Sequence, residues 1–585
     1  MAHIDNTWLA FAFEREVEPE RIDGGLRRVE GHYATLYAEP LIRHVSAGRS
    51  LGMALWRRAD ERLRWSLWAD REGMAVATTN APTGGERLLG GEEVSALRLG
   101  AALRDDPERL VDLNPPFVAG VHDRAAGVLT IVNDFLGAAR LYAHRSSAGW
   151  VWSNRLGALP IFAGVPPEAD PQAWAVHAAT GWFMGTDTPI RGVRRVPPAT
   201  VVVARTGERG ARVAVRPTEA VRTLVAPRRS RLGPSAAAAA DQAVDLARSV
   251  ARLWAAPVTV NLSGGRDSRI SAAAAIVAGI DAEYRTMDIE PGEVDAVRPL
   301  IARAPSSVFH AVVAPERGDP PDDLDARIRA KHLVHDGVSN PMSTIRGPTN
   351  LPQRGFSSPL ITGHGGELGH GFYYGRSSLR SLRRGGFEGL VRRLERTVRR
   401  GHSAARDDAY GAFLAAVRAT LDEGRGLGIE GPSLLDYFYL AQRLSLRAGL
   451  GSRNDRYSGC VTPAFVRAAF DLSPRQRVGS KLHRAVIERL IPEWRRIPFF
   501  AGGRGRLPRV NRARIWERPS HAGQLEAMLE RESLWADMFV PRRVHEMWAE
   551  VKRGGGHAHY EAIFLRIAWR VSYEDHLGLL ARRAA

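Results

Sequence analysis

The stretch Ser263-Gly264-Gly265-Arg266-Asp267-Ser268 constrains this chain more than any other. It follows the apolar run Pro257-Val-Thr-Val-Asn-Leu262 and precedes an Ala-rich run through Ser271-Ala-Ala-Ala-Ala-Ile276, after which comes a second strand-like run, Ala282-Glu-Tyr-Arg-Thr-Met287. Strand, glycine turn, helix and strand in that order form a βαβ unit, which requires a parallel sheet with covering helices. A loop of this kind at the mouth of a helix offers backbone N–H groups and two hydroxyls to one anion, with the helix dipole behind them. The glycines let the backbone approach phosphate oxygens closely. Asp267 would repel an anion unless Mg²⁺ lay between them, which marks it as a candidate metal ligand. A ligand-free glycine turn is the plain alternative; six matching positions in a strand, loop and helix context argue against it. The absence of Gly-Lys-Ser/Thr separates the stretch from a Walker loop.

The first 220 or so residues have a different texture. Short apolar runs alternate with turn signals, as in Phe117–Val121, Gly127–Val132, Leu141–His144 and Trp150–Ser153, which predicts a many-stranded antiparallel domain. The pattern breaks in a Pro/Gly/Arg stretch, Ala226–Pro234, and a helix is predicted from about Ser235 to Ala255. The region from about 375 to 585 reads as mainly helical. The division is therefore 1–225, a linker at 226–234, and 235–585, with a fold class of α/β plus α+β.

Composition excludes more than it identifies. With 44% hydrophobic and 25% charged residues the chain is an ordinary globular protein. The net charge of +18, from 82 Lys+Arg against 64 Asp+Glu, comes almost wholly from Arg and fits a coding bias. No zinc-finger spacing or RNP signature accompanies it, so nucleic acid is not expected as a main partner. Cys460 is the only cysteine, which rules out an intrachain disulfide and a cysteine metal cluster. No signal peptide and no run of roughly 18 apolar residues is present. The expectation is a soluble, cytoplasmic protein with no membrane partner.

The loop at 263–268 is similar to the pyrophosphate loop of the N-type ATP pyrophosphatases, which cut ATP between its α and β phosphates. The segment Gly363-His364-Gly365-Gly366-Glu367, at the end of an apolar run, resembles the Gly-x-Gly-Gly-Asp-Glu motif of asparagine synthetases. Phe117–Asp123, Ile131–Asp134 with Gly137, Leu141-Tyr142, Trp152–Asn154 and Gly192–Pro198 follow in the order found in that family's amidotransferase domain. The resemblance spans about residues 100 to 500. It implies an Ntn-hydrolase-like antiparallel β sandwich at the N-terminus and a C-terminal synthetase domain of the adenine-nucleotide α-hydrolase type. It further implies ATP and Mg²⁺ as cofactors. Nucleotide contacts are expected at Leu262, Ser263, Gly264, Gly265, Asp267, Ser268, Met287 and Gly363. Mg²⁺ is expected at Asp267 and at Glu367, which stands where the family has Asp. Lys481, after Leu472–Ser480, matches a lysine that stabilises the charge on the adenylate or tetrahedral intermediate.

The departures narrow the reading. Glutamine-dependent members begin Met-Cys and attack glutamine with that thiolate; residue 2 here is Ala, so the glutaminase is expected to be inactive. Leu368 replaces an acidic residue. Arg453-Asn-Asp-Arg456 resembles the family's Asp-Arg signature, while Gly459–Pro463 replaces its Glu-x-Arg, so substrate contacts there are rebuilt. Two branches without the cysteine, the β-lactam synthetases and the lasso peptide cyclases, join a carboxylate and an amine of one substrate. The expectation is an AMP-forming amide synthetase acting on a peptide or small-molecule substrate, with a lasso peptide macrolactam cyclase as the leading form. A leader-peptide-binding protein and a peptidase would be its pathway partners. His364, with a pKa near neutrality, is the candidate general base, though it would equally fill the loop or bind phosphate. Small-molecule β-lactam synthetase-like or ammonia-dependent asparagine synthetase-like enzymes are the alternatives, as is a non-catalytic scaffold.

Overall fold

The computed structural model describes residues 6–37, 39–59, 62–71, 73–90, 94–228, 231–288, 290, 292–314, 323–346, 359–398, 404–445, 456–500 and 514–585. Ala2 and Arg453–Asp455 lie outside them.

Among the described residues, twelve strands precede the linker region, in two antiparallel sheets. The first contains β1 (Asn6–Phe13), β2 (Ile42–Ala47), β3 (Leu51–Arg57), β8 (Tyr142–Ser146), β9 (Gly149–Ser153) and β10 (Val193–Arg195), in the order β10-β8-β9-β1-β3-β2. The second contains β4 (Trp68–Arg71), β5 (Met74–Thr78), β6 (Val118–Asp123), β7 (Val128–Asn133), β11 (Thr200–Thr206) and β12 (Ala211–Pro217), in the order β12-β11-β7-β6-β5-β4. β1 is buried along its whole length, which explains its nearly unbroken apolar sequence. Alternate side chains serve different cores. Trp8, Ala10 and Ala12 join the core between the sheets, where a side chain on Gly120 of β6 would lie 2.7 Å from Trp8. Leu9, Phe11 and Phe13 pack the other way, into a core shared with the helices Pro19–Ala34, Ala158–Ala163 and Ala558–Ala584.

That second core shows something the sequence pattern did not. Residues from 324–345 and from 515–584 share it with the N-terminal sheet, so the end of the chain returns to cover the beginning. Trp569 and Tyr573 are fully buried there, beside Trp174 and His332.

After the linker comes a parallel sheet of β13 (Val258–Asn261), β14 (Ala282–Met287), β15 (Phe309–Val313), β16 (Leu360–Thr362) and β17 (Arg456–Ser458). The protein is thus a mixed α/β structure with antiparallel and parallel sheets. The helix before β13 runs Leu232–Leu253, three residues earlier than predicted. Pro234 falls in its first turn, where the missing N–H has no intrahelical acceptor to lose. Its buried Ala236, Ala239, Ala240, Ala243 and Ala247 recur at helical spacing and let the helix Arg266–Ala278 approach closely. β14 starts and stops where the sequence predicted.

The sheet order is β15-β14-β13-β16-β17. The chain enters at the centre, moves outward to β15, then crosses to the other side of β13, so the direction of winding reverses between β13 and β16. In open α/β sheets ligands bind in the crevice beyond the carboxyl ends of the strands at such a reversal. β13 leads into the loop at 263 and β16 into the loop at 363. Pairing of Thr259 with Leu360 and of Val260 with Ile361 brings both loops out at one level.

Candidate functional site

The two loops touch. A Cβ on Gly363 would lie 2.5 Å from the backbone N of Ser268, and one on Gly366 would lie 2.3 Å from Cγ of Asp267. These glycines are required because the first loop and its carboxylate occupy the space a side chain would need. A Cβ on Gly369 would in turn meet Cε1 of His483 at 2.6 Å. The glycine run of the second loop is therefore a packing surface for Ser268, Asp267 and His483.

The first loop is braced from within. Ser263 Oγ and Ser268 Oγ are 2.7 Å apart; Ser263 N donates to Ser268 Oγ at 3.0 Å, and Gly265 N donates to Ser263 Oγ at 3.1 Å. The two hydroxyls expected to face an anion thus hold the loop's shape. No side chain caps the helix Arg266–Ala278, so its first-turn N–H groups point to the crevice without a side-chain acceptor. Beneath the loop, buried Arg269 donates to the carbonyls of Gly264 at 2.8 Å, Ile497 at 2.9 Å and Pro498 at 2.7 Å. Burial pushes its pKa down to about 10, still high enough to keep the guanidinium charged at neutral pH. Phe500 N donates to Gly264 O at 2.7 Å and closes this floor.

Asp267 is the electrostatic centre. Its Oδ1 lies 2.8 Å from His483 Nε2, a close polar contact outside hydrogen-bond alignment, and its Oδ2 lies 3.7 Å from His370 Nε2. Burial raises the Asp267 pKa, but His370 and His483 together outweigh it and hold the carboxyl well below the usual range. For His483 burial wins over the attraction of Asp267, and its pKa is lowered. An ionised carboxylate with a buried oxygen lacking a hydrogen-bond partner fits a cation. Among the described residues no group of three or more His, Cys, Asp or Glu forms a metal cage. Mg²⁺ needs none, since it takes one or two carboxylates and completes its shell with water and phosphate oxygens.

The other predicted residues fall around this centre. Leu262 is buried, and its carbonyl accepts from Thr286 Oγ1 at 2.8 Å. Met287 ends β14, the next strand over, and is 39% exposed at the crevice side of the sheet. His364 is exposed; Ser458 Oγ donates to its carbonyl at 2.6 Å. Desolvation of its ring in the crevice, with Arg456 next, lowers its pKa against the pull of Glu367 and Asp267. It is consequently neutral at pH 7 and able to accept a proton. Lys481 is exposed at the first position of the helix Lys481–Leu490. Its neighbours tie that helix to the loop: Arg266 Nη1 donates to Ser480 Oγ at 2.6 Å, and His483 meets Asp267.

Four contributors escaped the sequence reading. His370 and His483 carry no motif, although a histidine three residues past Glu367 in a glycine run was a signal to follow. Tyr439 comes from a π-helical turn, Tyr439–Leu444, and its phenol hydrogen-bonds Glu367; burial first, and that carboxylate second, raise its pKa. Cys460, far from the loop in sequence, is in its floor: Sγ lies 3.8 Å from Asp267 O, and burial raises the thiol pKa well above its ordinary value. A thiol in that state is not a nucleophile.

No protein-family model matches the chain, and no curated protein matches it. Among solved structures it is similar to an allosteric regulatory enzyme of purine biosynthesis, at 11% identity over 54% of this chain and 82% of that one, with a TM-score of 0.24. It is also similar to the glutamine phosphoribosylpyrophosphate amidotransferase from B. subtilis complexed with ADP and GMP, at 11% identity over 67% of this chain and 93% of that one, with a TM-score of 0.24. Superpositions this loose carry no argument about the present chain. Among the described residues no helix is long and apolar enough to cross a membrane.

Proposed function

We propose that this chain is an ATP-dependent, AMP- and pyrophosphate-forming amide synthetase that adenylates a carboxylate and closes a lactam with an amine of the same substrate. The observation that carries the reading is the contact between the loops at 263–268 and 363–367 across the reversal of the parallel sheet, with Asp267 between them. In this reading the N-terminal sandwich is a degenerate amidotransferase-like domain of Ntn-hydrolase type and the parallel sheet is the nucleotide-binding half.

The chain's own residues divide the work. The uncapped N-terminus of the helix Arg266–Ala278 binds phosphate oxygens, while the Ser263–Ser268 brace and Arg269 keep the loop from adjusting as charge moves. Asp267 and Glu367 would hold Mg²⁺, which supplies charge neutralisation for a pyrophosphate leaving group. Lys481, at the rim, stabilises the anionic intermediate. His364, neutral at rest, accepts the proton released by the attacking amine, while the Tyr439 phenol donates to Glu367 and holds that carboxylate in place. Ring closure gains most from holding amine and acyl-adenylate in contact, which favours a folded peptide substrate of the lasso type.

The test is ATP–pyrophosphate exchange with candidate peptides and amino acids, followed by mass spectrometry of the product. Exchange dependent on a peptide, with loss of one water from that peptide, supports the cyclase. Exchange with a small amino acid alone points to a β-lactam synthetase-like enzyme. No exchange with any substrate overturns the synthetase reading in favour of a scaffold.

A further inference from the structure

A cavity of about 300 Å³ lies away from the crevice, between the N-terminal sandwich and the C-terminal helices. Its wall is largely apolar, with Phe135 and Leu136 on one side and Tyr437 and Leu440 on the other. This volume is at the lower end of small-molecule sites, and junctions between structural units are where such sites concentrate.

One lining group sets the chemistry. Arg195, 5% exposed, donates from Nη2 to Gly137 O and to Ser445 Oγ, both at 2.8 Å, and both acceptors are neutral. Its Nε is buried without a hydrogen-bond partner, and no carboxylate among the described residues is within ion-pair distance of it. The Asp134 carboxylate attracts Arg195 from beyond ion-pair distance, and its two oxygens are committed to the N–H groups of Phe117, Leu136, Ala138 and Ala139. Gly137, at φ +61°, leaves the room the guanidinium occupies, since a Cβ there would meet Arg195 Nη2 at 2.8 Å. A buried cation with no carboxylate in ion-pair contact costs several kcal/mol, so a retained one facing a cavity indicates an anion that enters it. The carboxylates at the rim do not supply that charge. Glu219 pairs with Arg222 at 3.1 Å, and Glu423 accepts from Tyr437; both are exposed.

The wall is also unusual backbone. Leu440, Ala441 and Gln442 belong to the π-helical turn, a rare conformation that is frequent at functional positions. Gln442 is fixed there, accepting from Gly185 N at 3.0 Å and donating to Thr420 Oγ1 at 2.9 Å.

We propose that this cavity binds a small organic carboxylate with an apolar body, its carboxylate on Arg195 and its hydrocarbon among Phe135, Tyr437 and Leu440. The inference does not depend on the synthetase reading of the crevice. Isothermal titration calorimetry of the full chain with hexanoate, and with hexan-1-ol as the neutral match, tests it. Hexanoate is expected to bind with a Kd of about 1 mM or below and the alcohol at least about tenfold more weakly. Arg195→Gln is expected to weaken hexanoate at least about tenfold. Val221→Trp, which fills the cavity from a half-buried wall position, is expected to abolish binding while the melting temperature holds. Absence of hexanoate binding at about 10 mM, equal binding of the alcohol, or undiminished binding by Val221→Trp would each overturn the proposal. Should Arg195→Gln fail to fold, the alcohol comparison and the Val221 variant decide it.

Discussion

Asp267 in the crevice and Asp336 in the rear core are both acids surrounded by basic groups, yet the fold uses them in opposite ways. Asp336 is spent entirely on the protein. It faces Arg155 Nε at 3.3 Å, accepts Leu156 N at 3.1 Å and Tyr33 OH at 3.3 Å, and its side chain is 6% exposed. Asp267 is 26% exposed, retains a buried oxygen with no hydrogen-bond partner, and stands at the carboxyl end of a central parallel strand. Histidines repeat the contrast. His370 and His483 serve one ionised carboxylate, whereas His32, His332 and His576 are packed among Tyr33, Trp569 and Tyr573 with burial holding each neutral. Perturbed titration marks both regions, so perturbation alone does not identify a site. What separates them is whether the polar groups close on each other or stay open to a crevice.

Substitutions that strike one region and spare the other sharpen this contrast. The largest effect is expected from Asp336→Ala, which strands buried Arg155 and should cost about 3–5 kcal/mol in urea unfolding; pyrophosphate exchange per folded molecule should be unchanged. Asp267→Asn should do the reverse, lowering exchange by about 10³-fold, with a stability loss of about 1–2 kcal/mol, smaller than that of Asp336→Ala because Asp267 is partly exposed. Equal losses of stability from the two would break the comparison. Gly363→Ala pushes a Cβ into the backbone of Ser268 and should cost about 10²-fold in exchange through misplacement of the first loop; a variant with full activity would show that the loops need not touch.

The smallest effect per unit is in pH. His32 and His332 have pKa values pushed down to about 3 by burial, against about 6.5 in the unfolded chain. Below about pH 6.5 the unfolded chain binds their protons first, so the stability they leave in place above that pH is lost as pH falls toward 3. The slope is about 1.4 kcal/mol per pH unit for each histidine. Urea unfolding at a series of pH values from 7.5 to 4 should show it, and His332→Gln should make the dependence shallower. An unchanged slope would remove His332 from the account.

The crevice was legible in sequence where local chemistry sufficed. β13, the glycine loop, the helix Arg266–Ala278 and β14 follow from hydrophobic period and glycine placement, and each lies within a few residues of its predicted span. β15 was not anticipated: Phe309–Val313 is short, partly exposed, and lacks a clean alternation. β17 was missed because Arg456–Ser458 is three residues long and, among the described residues, pairs with β16 alone, so its strand character comes from the partner. The rear core was illegible for a related reason. The helix Ala558–Ala584 has buried residues all round and so no single apolar stripe, and nothing in its sequence names the sheet it covers.

The sequence by itself determined the loop 263–268, the parallel sheet it demands and the antiparallel texture of the first 220 residues, because these depend on backbone freedom and side-chain period over a few positions. Only the tertiary structure decided that His370, His483, Tyr439 and Cys460 gather at Asp267, that two serine hydroxyls brace the loop, and that Arg195 lines a cavity with its Nε unpartnered. Those facts rest on contacts between residues tens to hundreds of positions apart, and the pKa and partners of such groups are set by what packs around them.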